Sequence, residues 1–414
     1  MRAPIRTTEP LLRRNFLRGR PGDPVRRREF LETLGCGALG LGLLGGAALP
    51  GRLPAGSAPG SSEFAGWLWI GRRPEKTAAE WRALFSRLGQ AGFRGVLVGG
   101  QFDAPIADAA HAAGLEYHRW MWILNRPGDT WARENHPEWY AVSRAGDSTI
   151  EAPPYVEYYR WVCPTREPVR QHLRQLIGEA AREPAVDGIH LDYIRYCDVI
   201  LPRGLWKKYG LVQNRELPQF DFCYCPSCRG QFKDRTGRDP AELPDPPADA
   251  EWIRFRWDAV TRVVTELAEV SRGAGKAISA AVFATPTLAR RLVRQAWDEW
   301  PVDRVFPMMY HPAYDEGVPW IGESIREGVE ALRGSGTELN AGLYLSALDP
   351  PVLAEAIRMA RVEEACGFSL FDLNALTDER LEAVENTLWE IRATDRGLSE
   401  HHRQAGVRRH LLAG

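Results

Sequence analysis

The stretch VDGIHLDYIRYC (Val186–Cys197) places a carboxylate and a guanidinium in an otherwise apolar, strand-like run. Burying an unpaired charge is costly, so Asp192 needs a reason to be there. A carboxyl group in an apolar site can act as a nucleophile, base or acid, and Arg195 can hold it ionised or bind a substrate hydroxyl. We therefore predict that Asp192 is catalytic. The alternative is that Asp192 and Arg195 form a buried ion pair that braces a loop.

Polar and aromatic side chains also end other apolar segments. His190 shares a face with Asp192 because strands have a period of two, and we take this face to be the interior of a barrel. Polar groups at the same end of so many strands are hard to explain as core, and together they indicate a functional cleft. The other residues of this kind are Asn125, Tyr310, His311, Tyr344 and Asp372.

Eight apolar, β-rich segments alternate with segments of helical periodicity. This pattern predicts an α/β fold, a (β/α)8 TIM barrel, whose functional residues lie at the C-terminal ends of the strands. The alternative is a doubly wound open sheet, but no glycine-rich phosphate loop follows the first strand. The predicted strands are Phe64–Gly71, Gly92–Gly100, Leu115–Asn125, Val186–Tyr196, Ala277–Pro286, Asp303–His311, Glu338–Ser346 and Cys366–Asn374.

Two long connections follow the third and fourth predicted strands. The first, residues 126–170, is rich in Trp and Tyr, and the second, residues 198–250, carries a cysteine cluster and a Pro/Asp-rich segment. Long loops in compact domains are usually functional, and both of these leave from the C-terminal face of the predicted barrel. We expect them to contribute to the cleft.

Composition narrows the classes of partner. The chain has 414 residues, 44% of them hydrophobic, with 53 Lys+Arg against 54 Asp+Glu and a formal charge of -1. Such a balance gives no net attraction to nucleic acid or to an anionic membrane, and no basic stripe interrupts the barrel segments. We therefore expect neither nucleic acid nor, for the mature chain, a membrane as partner. Oligomeric state cannot be inferred from the sequence.

The first 60 residues are predicted to be an export signal and linker. A twin-arginine pair, Arg27–Arg28, precedes an uncharged Gly/Leu/Ala run and a small-residue stretch, which is the order of segments in a twin-arginine signal. The alternative is a fortuitous basic leader. We expect the barrel over residues 62–395, a flexible polar tail over residues 396–414, and an exported protein.

The stretch FCYCPSCRGQF holds Cys223, Cys225 and Cys228. A C-x-x-C pair suggests zinc, but a structural site needs four ligands, for which Cys163 or Cys197 would have to supply the remainder. Export equally permits disulfides. From the sequence we favour a disulfide or free thiols over a small structural zinc site, and we expect no catalytic metal and no cofactor.

Two parts of the chain resemble a known family. NHPEWYAVSRAGDS followed by VCPTREPVRQHLRQLIGEAAREPAVDGIHLDYIRYC, and AVFATPTLARRLVRQAWDEWPVDRVFPMMYH, resemble the glycosyl hydrolase-like family-10 group, which is assigned mostly by sequence to bacterial (β/α)8-barrel glycoside hydrolases. The similarity extends over roughly residues 64–392. The resemblance implies a barrel enzyme that acts on glycosidic bonds, and leaves the substrate open.

A more distant comparison limits the mechanism. DGIHLDYIRY is similar to the family-18 chitinase stretch D-G-x-D-x-D-x-E, in which Asp187 and Asp192 match acidic positions. His190 replaces the middle Asp, and Ile194 stands where the catalytic Glu would be. A chitinase-like, substrate-assisted reaction is therefore not expected here.

Glycoside hydrolysis usually needs two carboxyl groups, about 5–5.5 Å apart for retention and about 6.5–9.5 Å apart for inversion. We expect Asp192 to be nucleophile or base and Asp372 to be its partner, with Glu316 the next candidate. The alternatives are a non-catalytic carbohydrate-binding barrel and another hydrolase, such as a deacetylase. The residues expected to bind the carbohydrate are Arg195, His190, Tyr193, Tyr310, His311, Trp69, Trp122, Asn125 and Tyr344.

Overall fold

The structure is a computed structural model that describes residues 63–71 and 75–411, with side chains as far as Asp395. The predicted export signal, residues 1–60, lies outside the described residues. The last helix continues to Leu411, and the flexibility expected from residue 396 onward stays a prediction. No helix within the described ranges has the length and apolar character needed to cross a membrane.

Eight parallel strands close into a barrel in sequence order, with β8 pairing with β1. This confirms the predicted (β/α)8 fold. Each observed strand lies within its predicted segment and is shorter at one or both ends. The strands are β1 (Ala65–Ile70), β2 (Phe93–Gly99), β3 (Glu116–Trp122), β4 (Gly188–Asp192), β5 (Ala277–Phe283), β6 (Arg304–Met308), β7 (Glu338–Tyr344) and β8 (Gly367–Phe371).

An α-helix packs after each strand, and further helices lie in the long loops. The first helix shows why the boundaries fall where they do: Thr77 and Glu80 form a capping box at its start, and Gly92 ends it with a φ of 100°. The helices are α1 (Ala78–Ala91), α2 (Ala104–Ala112), α3 (Thr130–Asn135), α4 (Glu167–Ala181), α5 (Trp206–Tyr209), α6 (Pro226–Thr236), α7 (Ala250–Gly273), α8 (Pro286–Val293), α9 (His311–Tyr314), α10 (Pro319–Ala331), α11 (Pro350–Val362) and α12 (Asp378–Leu411).

Large aromatic side chains fill the barrel interior. Trp69 of β1 contacts Trp120 of β3 and His190 of β4, with ring centroids 4.9 and 4.7 Å apart. Phe306 of β6 reaches the same group from the opposite wall, 5.1 Å from His190. Inward-pointing residues from several strands thus form a packed layer rather than a pore.

Charged residues close the N-terminal end of the barrel. Arg304, at the start of β6, contacts Glu338 at 2.9 Å and Glu116 at 3.3 Å, and Arg94 contacts Glu116 at 2.9 Å. His118 adds a further contact to Glu116 at 2.9 Å. This network forms a polar floor, so the strands carry buried polar groups at both ends and not only at the mouth.

The two long loops pair with each other above the C-terminal face. Ser143, in the loop after β3, forms an isolated bridge with Phe222 in the loop after β4. Within the first loop, Tyr140 pairs with Val162, and Asn125 pairs with Trp161. The loops therefore form one packed layer beside the mouth.

Candidate active site

Asp192 ends β4 at the C-terminal face and is only 5% exposed. One carboxylate oxygen accepts a hydrogen bond from Trp120 Nε1 at 2.9 Å, and the other accepts one from the Tyr193 backbone N–H at 2.6 Å. Burial raises the pKa of Asp192 above its usual value, and these two hydrogen bonds offset only part of that effect. Asp192 is therefore a buried carboxyl group at the mouth, without an ion-pair partner among the described residues.

Asp372 directly follows β8 and is equally buried, at 4% exposed. Its two oxygens accept hydrogen bonds from the backbone N–H and the side-chain amide of Asn374, at 3.1 and 3.2 Å. Burial again raises the pKa of the carboxyl group. The end of β8 thus supplies a second desolvated carboxyl group.

Tyr310 lies just after β6, at the same end of the barrel as the two carboxyl groups. Its ring centroid lies 5.5 Å from those of Phe371 and Tyr344. Burial raises the pKa of its hydroxyl well above the usual value, and the charges of Asp192 and Asp372 raise it further. Both carboxylates therefore lie within electrostatic range of one buried hydroxyl, across the mouth formed by β4, β6, β7 and β8.

Arg195 does not pair with Asp192. Its Nη1 contacts Asp198 Oδ2 at 3.0 Å, and both side chains are buried. The guanidinium also lies over the rings of Trp161 and Phe283, 4.9 and 5.0 Å from their centroids. The alternative of a buried ion pair that braces a loop is therefore found in the structure, but with Asp198 as the acid.

Trp122 and Tyr193 form an aromatic wall beside Asp192. Their ring centroids are 4.6 Å apart, and Tyr158 of the long loop lies 6.1 Å from Trp122. Trp122 is partly exposed, and Tyr193 is held with a φ of 48°. An aromatic face next to a carboxyl group offers a platform on which a flat ligand can stack.

Three expected carbohydrate-binding residues lie inside the protein, which corrects their assignment. Trp69 is 2% exposed and donates from Nε1 to Ser369 Oγ at 3.1 Å. His190 is fully buried, its Nδ1 lies 2.8 Å from Ser279 Oγ, and burial holds its pKa well below the usual value. Asn125 is fully buried and accepts a hydrogen bond from the Arg160 backbone N–H at 2.8 Å, which braces the loop.

The other predicted residues lie around the mouth. His311 begins the short helix α9, is mostly buried, and has a pKa that burial lowers, which favours the neutral ring. Tyr344 ends β7 and is partly exposed. Glu316 is exposed on the loop after α9, and its backbone N–H donates to His311 O at 3.1 Å. Glu316 thus lacks the desolvation that distinguishes Asp192 and Asp372.

Sequence reasoning missed two residues of this site. Trp120 is not among the residues selected from the sequence, but its indole N–H donates a hydrogen bond to Asp192. Asp198 was not selected, although it is only 2% exposed and pairs with Arg195 three positions earlier. For Asp198, the spacing of three positions from the oppositely charged Arg195 was the available sequence signal. The contact between Trp120 and Asp192 joins neighbouring strands, and nothing in the sequence marks it.

Comparison with known proteins shows which fold the chain has but assigns it to no family. No protein-family model and no curated protein matches the chain. The catalytic domain of β-amylase from Paenibacillus polymyxa is 11% identical with a TM-score of 0.56, over 79% of this chain and 98% of that one. The PgaB (BpsB) glycoside hydrolase domain from Bordetella bronchiseptica is 12% identical with a TM-score of 0.56, over 78% and 99%. At such identities the likeness shows the (β/α)8 barrel, and membership of the glycosyl hydrolase-like family-10 group stays a prediction.

Proposed function

We propose that this protein is a glycoside hydrolase that cleaves glycosidic bonds in a polysaccharide or glycoconjugate. The observation that carries the proposal is the pair of buried carboxyl groups, Asp192 and Asp372, at the C-terminal ends of β4 and β8. Burial raises the pKa of both groups, and the charge of each raises the pKa of the Tyr310 hydroxyl. Two desolvated carboxyl groups at a barrel mouth are the groups that this hydrolysis needs. The two solved structures with the same fold, a β-amylase and a glycoside hydrolase domain, support the same class.

The hydrogen bonds suggest which carboxyl group is the acid. Asp192 faces two fixed donors, the Trp120 indole and the Tyr193 backbone, and neither can accept a proton in return. Asp372 faces the side-chain amide of Asn374, which can rotate to present its oxygen to a protonated carboxyl group. We therefore assign the ionised role of nucleophile or base to Asp192, and that of general acid to Asp372.

The surrounding residues have roles in binding the sugar. Tyr310 and Tyr344 line the mouth beside Asp372, where their hydroxyl groups are suited to bind sugar hydroxyls. Trp122 is assigned as a stacking surface because its ring is partly exposed beside Asp192. Glu316 is the alternative acid, since it lies on an exposed loop that follows β6 and the short helix α9.

Screening the purified chain against a panel of labelled polysaccharides tests the proposed function. We expect new reducing ends from at least one substrate, and the anomer formed first, followed by NMR, distinguishes retention from inversion. Binding without cleavage across the panel would favour the carbohydrate-binding barrel. Release of acetate without chain cleavage would favour a deacetylase. Either result would contradict the proposal.

We also propose that the protein is exported through the twin-arginine pathway, on the basis of Arg27–Arg28 and the uncharged run that follows. Residues 1–60 fused to a reporter protein are expected to direct it out of the cytoplasm, because the pathway recognises the paired arginines. Replacing both arginines with lysine should leave the reporter inside the cell. Equal export of the two fusions would contradict the proposal.

A further inference from the structure

Four cysteine sulfurs converge where the two long loops meet. The Sγ atoms of Cys163, Cys223, Cys225 and Cys228 all lie within 4.8 Å of one another. Cys163 Sγ is 3.4 Å from Cys228 Sγ and 3.6 Å from Cys225 Sγ, and all four residues are at most 1% exposed. Cys163 comes from the loop after β3 and the other three from the loop after β4, so folding alone brings the cluster together.

These distances fit a metal site better than disulfides. A disulfide needs sulfurs about 2.05 Å apart, and all six described cysteines are unbonded. A tetrahedral zinc ion with Zn–S bonds of about 2.3 Å places its four sulfurs roughly 3.8 Å apart. The two short sulfur–sulfur contacts, 3.4 and 3.6 Å, lie just below this value, and no two of the four sulfurs are more than 4.8 Å apart. Four convergent thiols are also the ligand set that zinc prefers in structural sites.

We propose that Cys163, Cys223, Cys225 and Cys228 bind a structural zinc ion. This revises the preference for disulfides or free thiols drawn from the sequence, because Cys163 supplies the fourth ligand that the C-x-x-C pair lacks. Four protein ligands leave no open coordination position, so the ion has no catalytic role. The site goes beyond the proposed hydrolase function and does not depend on it.

The groups around the sulfurs suit thiolate ligands. The backbone N–H of Val142 donates to Cys223 Sγ at 3.4 Å, and Thr165 Oγ1 lies 3.1 Å from Cys163 Sγ and 3.3 Å from Cys228 Sγ. Helix α6 begins directly after Cys225, which is its N-cap, and therefore directs its positive end toward the cluster. Such donors orient the ligands and offset the charge that four thiolates leave on the metal.

The consequence of the site is a cross-link between the two loops. Cys163 and Cys228 are separated by 65 positions, so the ion closes a long stretch of chain. Trp161, two residues before Cys163, packs on Tyr193 with ring centroids 5.6 Å apart. The zinc ion therefore holds in place the loop that supports the aromatic wall beside Asp192.

Metal analysis of the full chain, purified without chelator, tests the site. We expect about one zinc ion per chain, and Cys163→Ser should weaken zinc binding by at least about tenfold. Cys366→Ser is the matched control, because Cys366 is a free, partly exposed cysteine outside the cluster. Exchange of zinc for cobalt should give the visible absorption of a tetrahedral cobalt thiolate in wild type and Cys366→Ser but not in Cys163→Ser.

A second measurement applies even if Cys163→Ser fails to fold. Removing the metal from wild type with a strong chelator should lower its Tm, and added zinc should restore it. Iron instead of zinc in the native protein would overturn the assignment of the metal. A mass lower by two hydrogens per bridge in the non-reduced chain, or no zinc after reconstitution under reducing conditions, would overturn the site.

Discussion

Replacing Asp192 with asparagine is expected to lower kcat on a cleavable polysaccharide by roughly 10²–10⁴-fold, with a much smaller change in KM. In the proposed mechanism the carboxylate acts on the reacting carbon or on the attacking water. Its loss should therefore raise the activation barrier of the chemical step rather than weaken binding of the substrate. The asparagine keeps the size of the side chain and one acceptor for Trp120 or Tyr193. Steady-state kinetics on the substrate found in the panel measure the effect.

Asp187→Asn is a matched control for this variant. Asp187 immediately precedes β4, at the opposite end of the barrel, and accepts a hydrogen bond from the Tyr117 backbone N–H at 2.7 Å. The same substitution there should leave kcat within about threefold of wild type, since no substrate reaches this end. An unchanged rate in Asp192→Asn would remove Asp192 from the mechanism. Equal losses in both variants, with thermal melts lowered alike, would indicate a structural effect.

The companion variant Asp372→Asn tests the division of roles. A general acid matters most when the leaving group is poor, so Asp372→Asn should lose far more rate on a natural polysaccharide than on an aryl glycoside. Burial raises the pKa of Asp372, so activity should fall as pH rises through that raised value, and this alkaline limb should vanish in the variant. Equal losses on both substrates would instead favour Glu316 as the acid.

The barrel itself could be predicted because its signal is local. Most strands are short, largely apolar runs, as in β5, where six of the seven residues are buried. Helices show equally local start signals. Asp249, for example, is the N-cap of α7, and its side chain accepts a hydrogen bond from the Trp252 backbone N–H. Eight alternating repeats of these strand and helix patterns are compatible with few folds other than the (β/α)8 barrel.

The site was only partly predictable because its contacts join residues that are distant in sequence. Period-two alternation correctly places His190 inside, but cannot tell a residue that faces a packed interior from one that faces a cleft. His190 and Trp69 fill the barrel, whereas Asp192, two positions after His190, reaches the mouth. The ion pair between Arg304 and Glu338 at the N-terminal end of the barrel likewise could not be predicted from the sequence, because only barrel closure brings the two residues together.

Cys163 illustrates the same limit. The C-x-x-C pair is visible in the sequence, but the ligand that completes the cluster lies 65 positions before Cys228, in another loop. From the sequence alone, either Cys163 or Cys197 could be the ligand that completes the site. Loop packing decides between them. Within the loop after β3, Tyr140 pairs with Val162, which is next to Cys163. Ser143 of the same loop pairs with Phe222 of the loop after β4, which is next to Cys223.

Replacing Asp221 with alanine is expected to lower the free energy of unfolding by about 3–5 kcal/mol. Asp221 is fully buried and pairs with Arg256, which is also fully buried. It further contacts Arg144 at 3.1 Å and accepts a hydrogen bond from the Tyr224 hydroxyl at 2.9 Å. Removing the carboxylate leaves the Arg256 charge inside the protein without its partner. Urea unfolding followed by circular dichroism measures the change.

Asp395→Ala is the matched control, because Asp395 pairs with Arg361 at the surface, where the two side chains are 41% and 40% exposed. That variant should cost less than about 1 kcal/mol. Adding Arg256→Met to Asp221→Ala should recover part of the lost stability, since the double variant no longer buries an uncompensated charge. A double variant less stable than Asp221→Ala would contradict this explanation. Because Asp221 lies two residues before Cys223, zinc content measured on the same samples separates the loss of the ion pair from loss of the metal.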